Sequence, residues 1–325
     1  MKILWHKKAY LLVILTIILA KENKTYANSI IPERVKKLIP KELLDEKGLG
    51  RLGIGNQKVT RYAMTREECV KIRSRIKEDK VVLNQEKICG EKNMAPLFNP
   101  EKETMEKAAV CIDKFEFPNI ECEYPLVWVK ASEAAKICEH QGKRLCNAHE
   151  WEGACAGQLL PSDYAFESFL DLDETKRIKQ RRLIKNKKES KNKTWSYGKK
   201  RKKGVCAMDS FKNEKCNGGD FKECGSNTYP AGAFPECKSK FDVYDLHGNA
   251  AEHMNLPVTK AQLAGGKDAP LGYTEMKGSW FIFDKLKAHK DYCRWRAPFW
   301  HGTKVRSAKS HRNYHLGFRC CKDLP

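Results

Sequence analysis

The chain has 325 residues and a net charge of +21, with 14 cysteines. That length suits one large or two ordinary domains, and a cysteine density of this order excludes a chain that matures in a reducing cytosol. No cysteine forms a C-x-x-C pair, so the spacing excludes the usual structural zinc sites.

Lys2, His6, Lys7 and Lys8 precede the apolar run Ala9 to Ala20, which is too short to span a bilayer comfortably. We expect residues 1–27 to be a signal peptide with cleavage after Ala20 or Ala27; the alternative is an uncleaved anchor. No other run is apolar enough to cross a membrane. The protein is therefore expected to be exported, to the periplasm or the exterior. Residues 28–107 are polar and weakly patterned and are assigned to an N-terminal extension. Within it, "REECVKIRSRIKEDK" predicts an amphipathic helix carrying Cys69. The main domain is placed at 108–325.

"AAVCIDKFEFPN" predicts a strand from Val110 to Phe117, ended by Pro118-Asn119. A helix follows, with Ser132 as its N-cap and Gly142 as its stop, and Cys138 falls on its buried side. Asn147 and Glu150 have capping-box spacing, Trp151 and Cys155 share one face of the next helix, and Gly157 ends it. Two short helices joined by long irregular stretches imply an α+β domain rich in loop. Residues 176–203 hold 15 Lys or Arg against the single acid Glu189. Such a run predicts a solvated, mobile insertion, read either as a surface elaboration or as a patch for an anionic surface. The export signal argues against nucleic acid as its partner. Four cysteines, at 206, 216, 224 and 237, lie in a segment poor in apolar residues that disulfides or a cation must order. In "YDLHGNAAEH" Asp245 and Glu252 are hard oxygen donors around a Gly248-Asn249 turn, a spacing compatible with calcium or with an ordinary turn.

"CIDKFEFPN", "VKASEAAKICEHQGKRLCNAHEWEGACAG", "VYDLHGNAAEH", "MKGSW" and "LGFRC" occur in that order. Together they resemble the formylglycine-generating enzyme, or sulfatase-modifying-factor, family over about residues 108–323. The resemblance implies a loop-rich α+β fold related to C-type lectins. It implies calcium at Asp245, Gly248, Ala250 and Glu252, with His253 standing where the family has Trp. It also implies a disulfide between Cys138 and Cys320. The founding activity is copper- and oxygen-dependent oxidation of a sulfatase cysteine to formylglycine, and other branches resemble non-haem-iron oxidoreductases.

The resembling enzymes hold copper with two cysteines five positions apart, in a motif like "CHRSYC"; this chain reads "AHKDYC". Cys293 is then the second ligand, and Ala288 replaces the first. One thiolate cannot make the linear copper site, so copper is not expected. Ser279 matches a residue lining the oxygen pocket, although the loop from "KGSW" to Cys293 is about six residues longer than in the family. Cys293 is a candidate catalytic thiol or half of a disulfide. The family partner of Cys155 falls near Pro298, where there is no cysteine, leaving Cys146 or Cys321 as alternatives. His289, His301, His311 and His315 could suit iron or could be packing residues. The expected function is an exported, divergent domain that binds a peptide or small ligand without copper oxidase activity. The alternative is a metal-dependent oxidoreductase of the same family.

Overall fold

A computed structural model describes residues 31–44, 52–76, 80–265, 269–298 and 302–325. The expected signal peptide, Trp300 and His301 lie outside the described residues. No helix among them is long and apolar enough to cross a membrane.

Helix α1 (Glu33–Lys36) is one turn long. Helix α2 (Arg66–Arg73) starts where the sequence predicts an amphipathic segment. The Thr65 hydroxyl accepts from Glu68 N–H, and the Glu68 carboxylate accepts from Thr65 N–H, which satisfies two of the free donors at the helix start. Its buried Cys69 is bridged to Cys122. Helix α3 (Lys80–Cys89) ends at a cysteine bridged to Cys111.

Four strands make the first sheet: β1 (Met94–Leu97), β2 (Val110–Asp113), β3 (Arg144–Leu145) and β7 (Cys320–Asp323). Their order is β1-β2-β7-β3, all antiparallel. Strand β1, which composition assigned to the extension, is an edge strand of this sheet. An edge tolerates Pro96, which lacks an N–H for the ladder. Strand β2 is shorter than the predicted Val110–Phe117, stopping before the Phe115–Asn119 turn. Strand β7 carries Cys320 and Cys321 side by side. Successive residues of a strand face opposite ways, and the two bridges follow that rule. Cys320 reaches Cys138, among Ala134, Ile137, Phe117 and Phe318. Cys321 reaches Cys146, among Trp151, Leu246 and Met254. The sheet therefore divides two apolar cores and is stapled to each.

Helix α4 (Ala131–His140) lies in the first core. Its N-cap is Lys130 rather than Ser132: the helix begins two residues earlier, and Glu133 accepts from Lys130 N–H at 2.7 Å. Ser132 sits in the first turn against Ser310. Helix α5 (Ala148–Ala156) lies in the second core, with Glu150 accepting from Asn147 N–H at 2.7 Å and Gly157 closing it at φ 70°. The second sheet has order β5-β4-β6, from β4 (Ala251–Leu256), β5 (Tyr273–Lys277) and β6 (Leu316–Phe318). Strand β4 is buried along its whole length, so its polar side chains need protein partners. Arg319 meets Glu252, and Asn147 meets Asn255. His253 bonds the Val129 carbonyl at 3.0 Å, a polar replacement for aromatic packing.

The basic segment is not the mobile loop its composition predicts. Helix α6 (Glu174–Glu189), capped by Asp173, occupies its first half. Ile178, Arg181, Arg182 and Lys185 recur at helical spacing and are buried. Arg182 meets Glu275 at 2.5 Å, and Lys185 pairs with Glu152 at 2.9 Å and also with Asp163. Four of the segment's positive charges thus face inward or, as with Arg201 beside Asp284 and Asp291, are paired with acids on the body. Acids distant in sequence thus anchor the inner face of the segment, while its other lysines stay exposed.

Candidate functional site

Three elements meet at the C-terminal end of α5. The helix provides Trp151, Glu152 and Cys155. The loop before β4 provides His247 and Gly248. The long loop after β5 provides Ser279, Trp280, Phe283, His289, Asp291 and Cys293. A fourth layer comes from the basic insertion just after α6, which lies over the other three.

Cys155 and Cys293 are bridged, with Cα atoms 5.4 Å apart. Of the two readings of Cys293, the structure has the disulfide, so Cys293 offers no catalytic thiol. The partner of Cys155 is corrected: it is neither Cys146 nor Cys321, which are bridged to each other. All 14 cysteines are paired. Seven bridges suit a chain folded in an oxidising compartment.

His247 Nε2 lies 3.3 Å from Cys155 Sγ and 3.9 Å from Cys293 Sγ. The same nitrogen accepts from Ser196 N–H at 3.1 Å. An accepting Nε2 puts the ring proton on Nδ1, which is buried and without a partner. Burial pushes the His247 imidazole down to about 4, with Asp291 opposing, so the ring is neutral. Cys293 N–H donates to Thr194 O at 2.8 Å, and Trp195 Nε1 donates to Asp291 at 3.1 Å. The insertion therefore closes over the bridge and holds both His247 and Asp291.

Glu152 anchors the other side. Burial alone would raise its carboxyl, but Arg296, Lys277 and Lys185 together hold it far below the carboxylate range. Lys277 Nζ is 2.8 Å and Arg296 Nε 3.0 Å from Glu152 Oε1.

Ser279 is fully buried, and its Oγ accepts from Gly248 N–H at 2.9 Å. It ties the 244–253 loop to the loop after β5 and does not line the open cleft. That cleft, about 640 Å³, runs alongside. Trp195, Phe283, Tyr292 and Trp295 form its apolar wall, and Lys193, Arg201, Lys287 and Lys290 its rim. Ala288 is also in its lining. His289 stacks on Trp295 with centroids 4.9 Å apart and planes 6° apart, and it also packs against Phe283 at 5.1 Å and Trp280 at 5.4 Å. Its Nδ1 bonds the Lys290 carbonyl, leaving a buried Nε2 without a partner, and burial lowers its pKa. His315 stacks on Trp280 instead. Among the described residues His289, His311 and His315 do not form a group of metal ligands.

Asp245, Gly248, Ala250 and Glu252 do lie together, but their donors do not fit calcium. Arg319 takes both Glu252 oxygens at 2.7 Å, and Trp151 Nε1 adds a third bond at 3.0 Å. Asp245 Oδ2 accepts from Gly232 N–H, while its buried Oδ1 has no partner. Glu116 stands beside them, bonding Asn249 Nδ2 and Ala250 N–H. Calcium needs six to eight oxygens, whereas the positive charge at this loop is the guanidinium of Arg319. Burial raises Asp245 to about 6, and burial with Asp245 and Glu252 nearby raises Glu116 well above the usual carboxylate value.

A family model described as the sulfatase-modifying factor enzyme 1-like domain matches residues 58–324. The chain belongs to that family. Among solved structures, "Crystal Structure of CarF" is similar at 10% identity and TM-score 0.37, over 66% of this chain and 87% of that one. "Structure of PvdO from Pseudomonas aeruginosa" is similar at 14% identity and TM-score 0.34, over 71% and 91%. No curated protein matches the chain. The match to the sulfatase-modifying-factor model starts well before residue 108, in line with β1 pairing to β2.

Sequence reasoning missed His247, which it read only as part of a turn, because its contacts come from residues 92 and 46 positions away. It also missed Thr194, Trp195 and Ser196, whose contacts depend on α6 being packed. The one signal available was Trp195, an aromatic interrupting a basic run.

Proposed function

We propose that this sulfatase-modifying-factor protein is an exported binding domain, periplasmic or secreted, that has given up copper oxidase chemistry. Its ligand is a peptide or small molecule carrying an aromatic or apolar group and a negative charge. One observation carries the reading: the sulfur at Cys293 is consumed in the bridge to Cys155. In the resembling enzymes the counterpart of Cys155 is bridged to a cysteine just after the copper pair. Cys293 in that role moves the register by five positions, and the copper pair then falls on Phe283 and Ala288. The same shift absorbs most of the extra loop between "KGSW" and Cys293. Neither a phenyl ring nor a methyl group can hold copper(I).

The aromatic wall and basic rim of the cleft support the ligand class, since rings stack on flat apolar groups and the rim attracts anions. A second reading, oxidation at a non-haem iron, has the unpartnered Nε2 of His289 in its favour.

Protein purified from an oxidising compartment tests the proposal. Elemental analysis is expected to find neither copper nor iron in stoichiometric amount, and a Cys-x-Pro-x-Arg peptide with added copper(I) should give no oxygen uptake. An acidic aromatic peptide should bind, and K287E/K290E at the exposed rim should weaken it by about tenfold or more. Stoichiometric copper with oxygen-dependent oxidation of the cysteine peptide would overturn the proposal, and stoichiometric iron would favour the second reading.

A further inference from the structure

Helix α6 presents an outward face that the binding cleft does not use. Lys176, Gln180, Leu183, Ile184 and Lys187 fall within one half of the helical wheel, opposite Ile178, Arg181, Arg182 and Lys185, and Lys191 follows just past the C-cap Ser190. Leu183 and Ile184 are 54% and 55% exposed, which makes them two of the most open large apolar side chains of the molecule. Lysines flank them on both sides: Lys179 one turn before, Lys187 and Lys188 one turn after. These three, with Lys191, have no carboxylate within ion-pair distance among the described residues. From Lys176 to Lys187 the stripe runs about 17 Å along the helix.

The exposure of the apolar pair is held in place. The Arg182–Glu275 and Lys185–Glu152 contacts fix the inner face, so α6 cannot roll to bury Leu183 and Ile184. An apolar pair centred among lysines, of which only Lys176 meets an acid among the described residues (the exposed Asp173, at 3.1 Å), is the pattern of a helix lying in a membrane interface, with side chains inserted among acyl chains and ammonium groups at the head-group level. A soluble polyanion would satisfy the lysines but leave Leu183 and Ile184 in water.

We propose that α6 is a docking surface for an anionic lipid membrane, which it meets side-on through Leu183 and Ile184 framed by Lys176, Lys179, Lys187, Lys188 and Lys191. The proposal is independent of what the aromatic cleft binds. With the helix flat, every one of those lysines lies within a Debye length of the surface. Residues 193 to 203 extend the same positive field and place the cleft near the membrane plane.

Flotation of the exported protein with vesicles of phosphatidylcholine, with and without phosphatidylglycerol, tests this. The expected result is binding only when phosphatidylglycerol is present. L183S/I184S keeps every charge and makes no change on the inner face, and it should weaken vesicle binding by about tenfold. K179Q/K187Q/K188Q/K191Q should abolish it at physiological salt. Thermal melting of each variant should match the wild type, because none of these side chains is buried. Vesicle binding unchanged in L183S/I184S, with heparin bound equally tightly by both proteins, would assign the surface to a soluble polyanion and overturn the proposal. Absence of binding to phosphatidylglycerol vesicles would overturn it outright.

Discussion

At the scale of single residues, His247 departs furthest from what its neighbours in sequence suggest. It lies in a Gly-Asn turn, yet its ring packs on the Cys155–Cys293 bridge, is held neutral by burial and accepts from Ser196 N–H. The consequence for stability has a definite sign. Burial lowers the folded pKa from 6.5 to about 4. As pH falls through that window the unfolded chain takes up a proton that the native ring refuses, so the contribution is complete above 6.5 and lost on the way down to about 4. A shift of that size corresponds to about 3 kcal/mol. Asp245, raised to about 6, acts the opposite way over much of the same window: its stabilising effect is full below 3.8 and lost as pH rises through 6. The pH profile of wild type alone therefore mixes the two. The difference between wild type and H247Q, which keeps an acceptor for Ser196 N–H, isolates the histidine. Denaturant titrations should show wild type losing stability relative to H247Q between pH 6.5 and 4; parallel profiles would contradict the assigned tautomer and burial.

At the scale of elements, legibility in the sequence followed the distance over which a contact acts. The Asn147–Glu150 box and the Gly157 stop are local, and the structure contains both. The α4 cap differed by two residues because Glu133 stands three after Lys130 and closes a capping box there, whereas the residue three after Ser132 is Ala135. Helix α6 is the opposite case. Its composition argues for a solvated run, and its partners Glu152 and Glu275 lie far away in sequence, so no window of residues could reveal that Arg182 and Lys185 are buried counter-ions. Removing one member of a buried pair costs about 3–5 kcal/mol because the other charge stays buried. R182A should therefore lower the melting temperature and speed tryptic cleavage within residues 176–191, a segment full of trypsin sites that packing protects. Cleavage at the wild-type rate would mean that α6 does not depend on this anchor.

For the whole molecule, five short motifs in fixed order were enough to place the chain in the sulfatase-modifying-factor family, because each fills a position the fold needs. Arg319 of "GFR" reaches Glu252 in the β4 segment, the Cys138–Cys320 bridge joins α4 to β7, and Ser279 of "KGSW" holds Gly248. The N-terminal limit was harder to see, since β1 has only four residues and becomes a strand through its partner β2. The register at the active-site position was hardest of all. "AHKDYC" matches two alignments five residues apart, and only the geometry of Cys155 distinguishes them. That bridge spans 138 residues, a separation no local pattern encodes. Its existence decides whether a free thiol stands at Cys293 beside the cleft. Protease digestion of the unreduced protein followed by mass spectrometry measures it directly. The account predicts a peptide containing Cys155 linked to one containing Cys293, with no free thiol. Cys293 recovered as a free thiol, or Cys155 linked to Cys146 or Cys321, would contradict it.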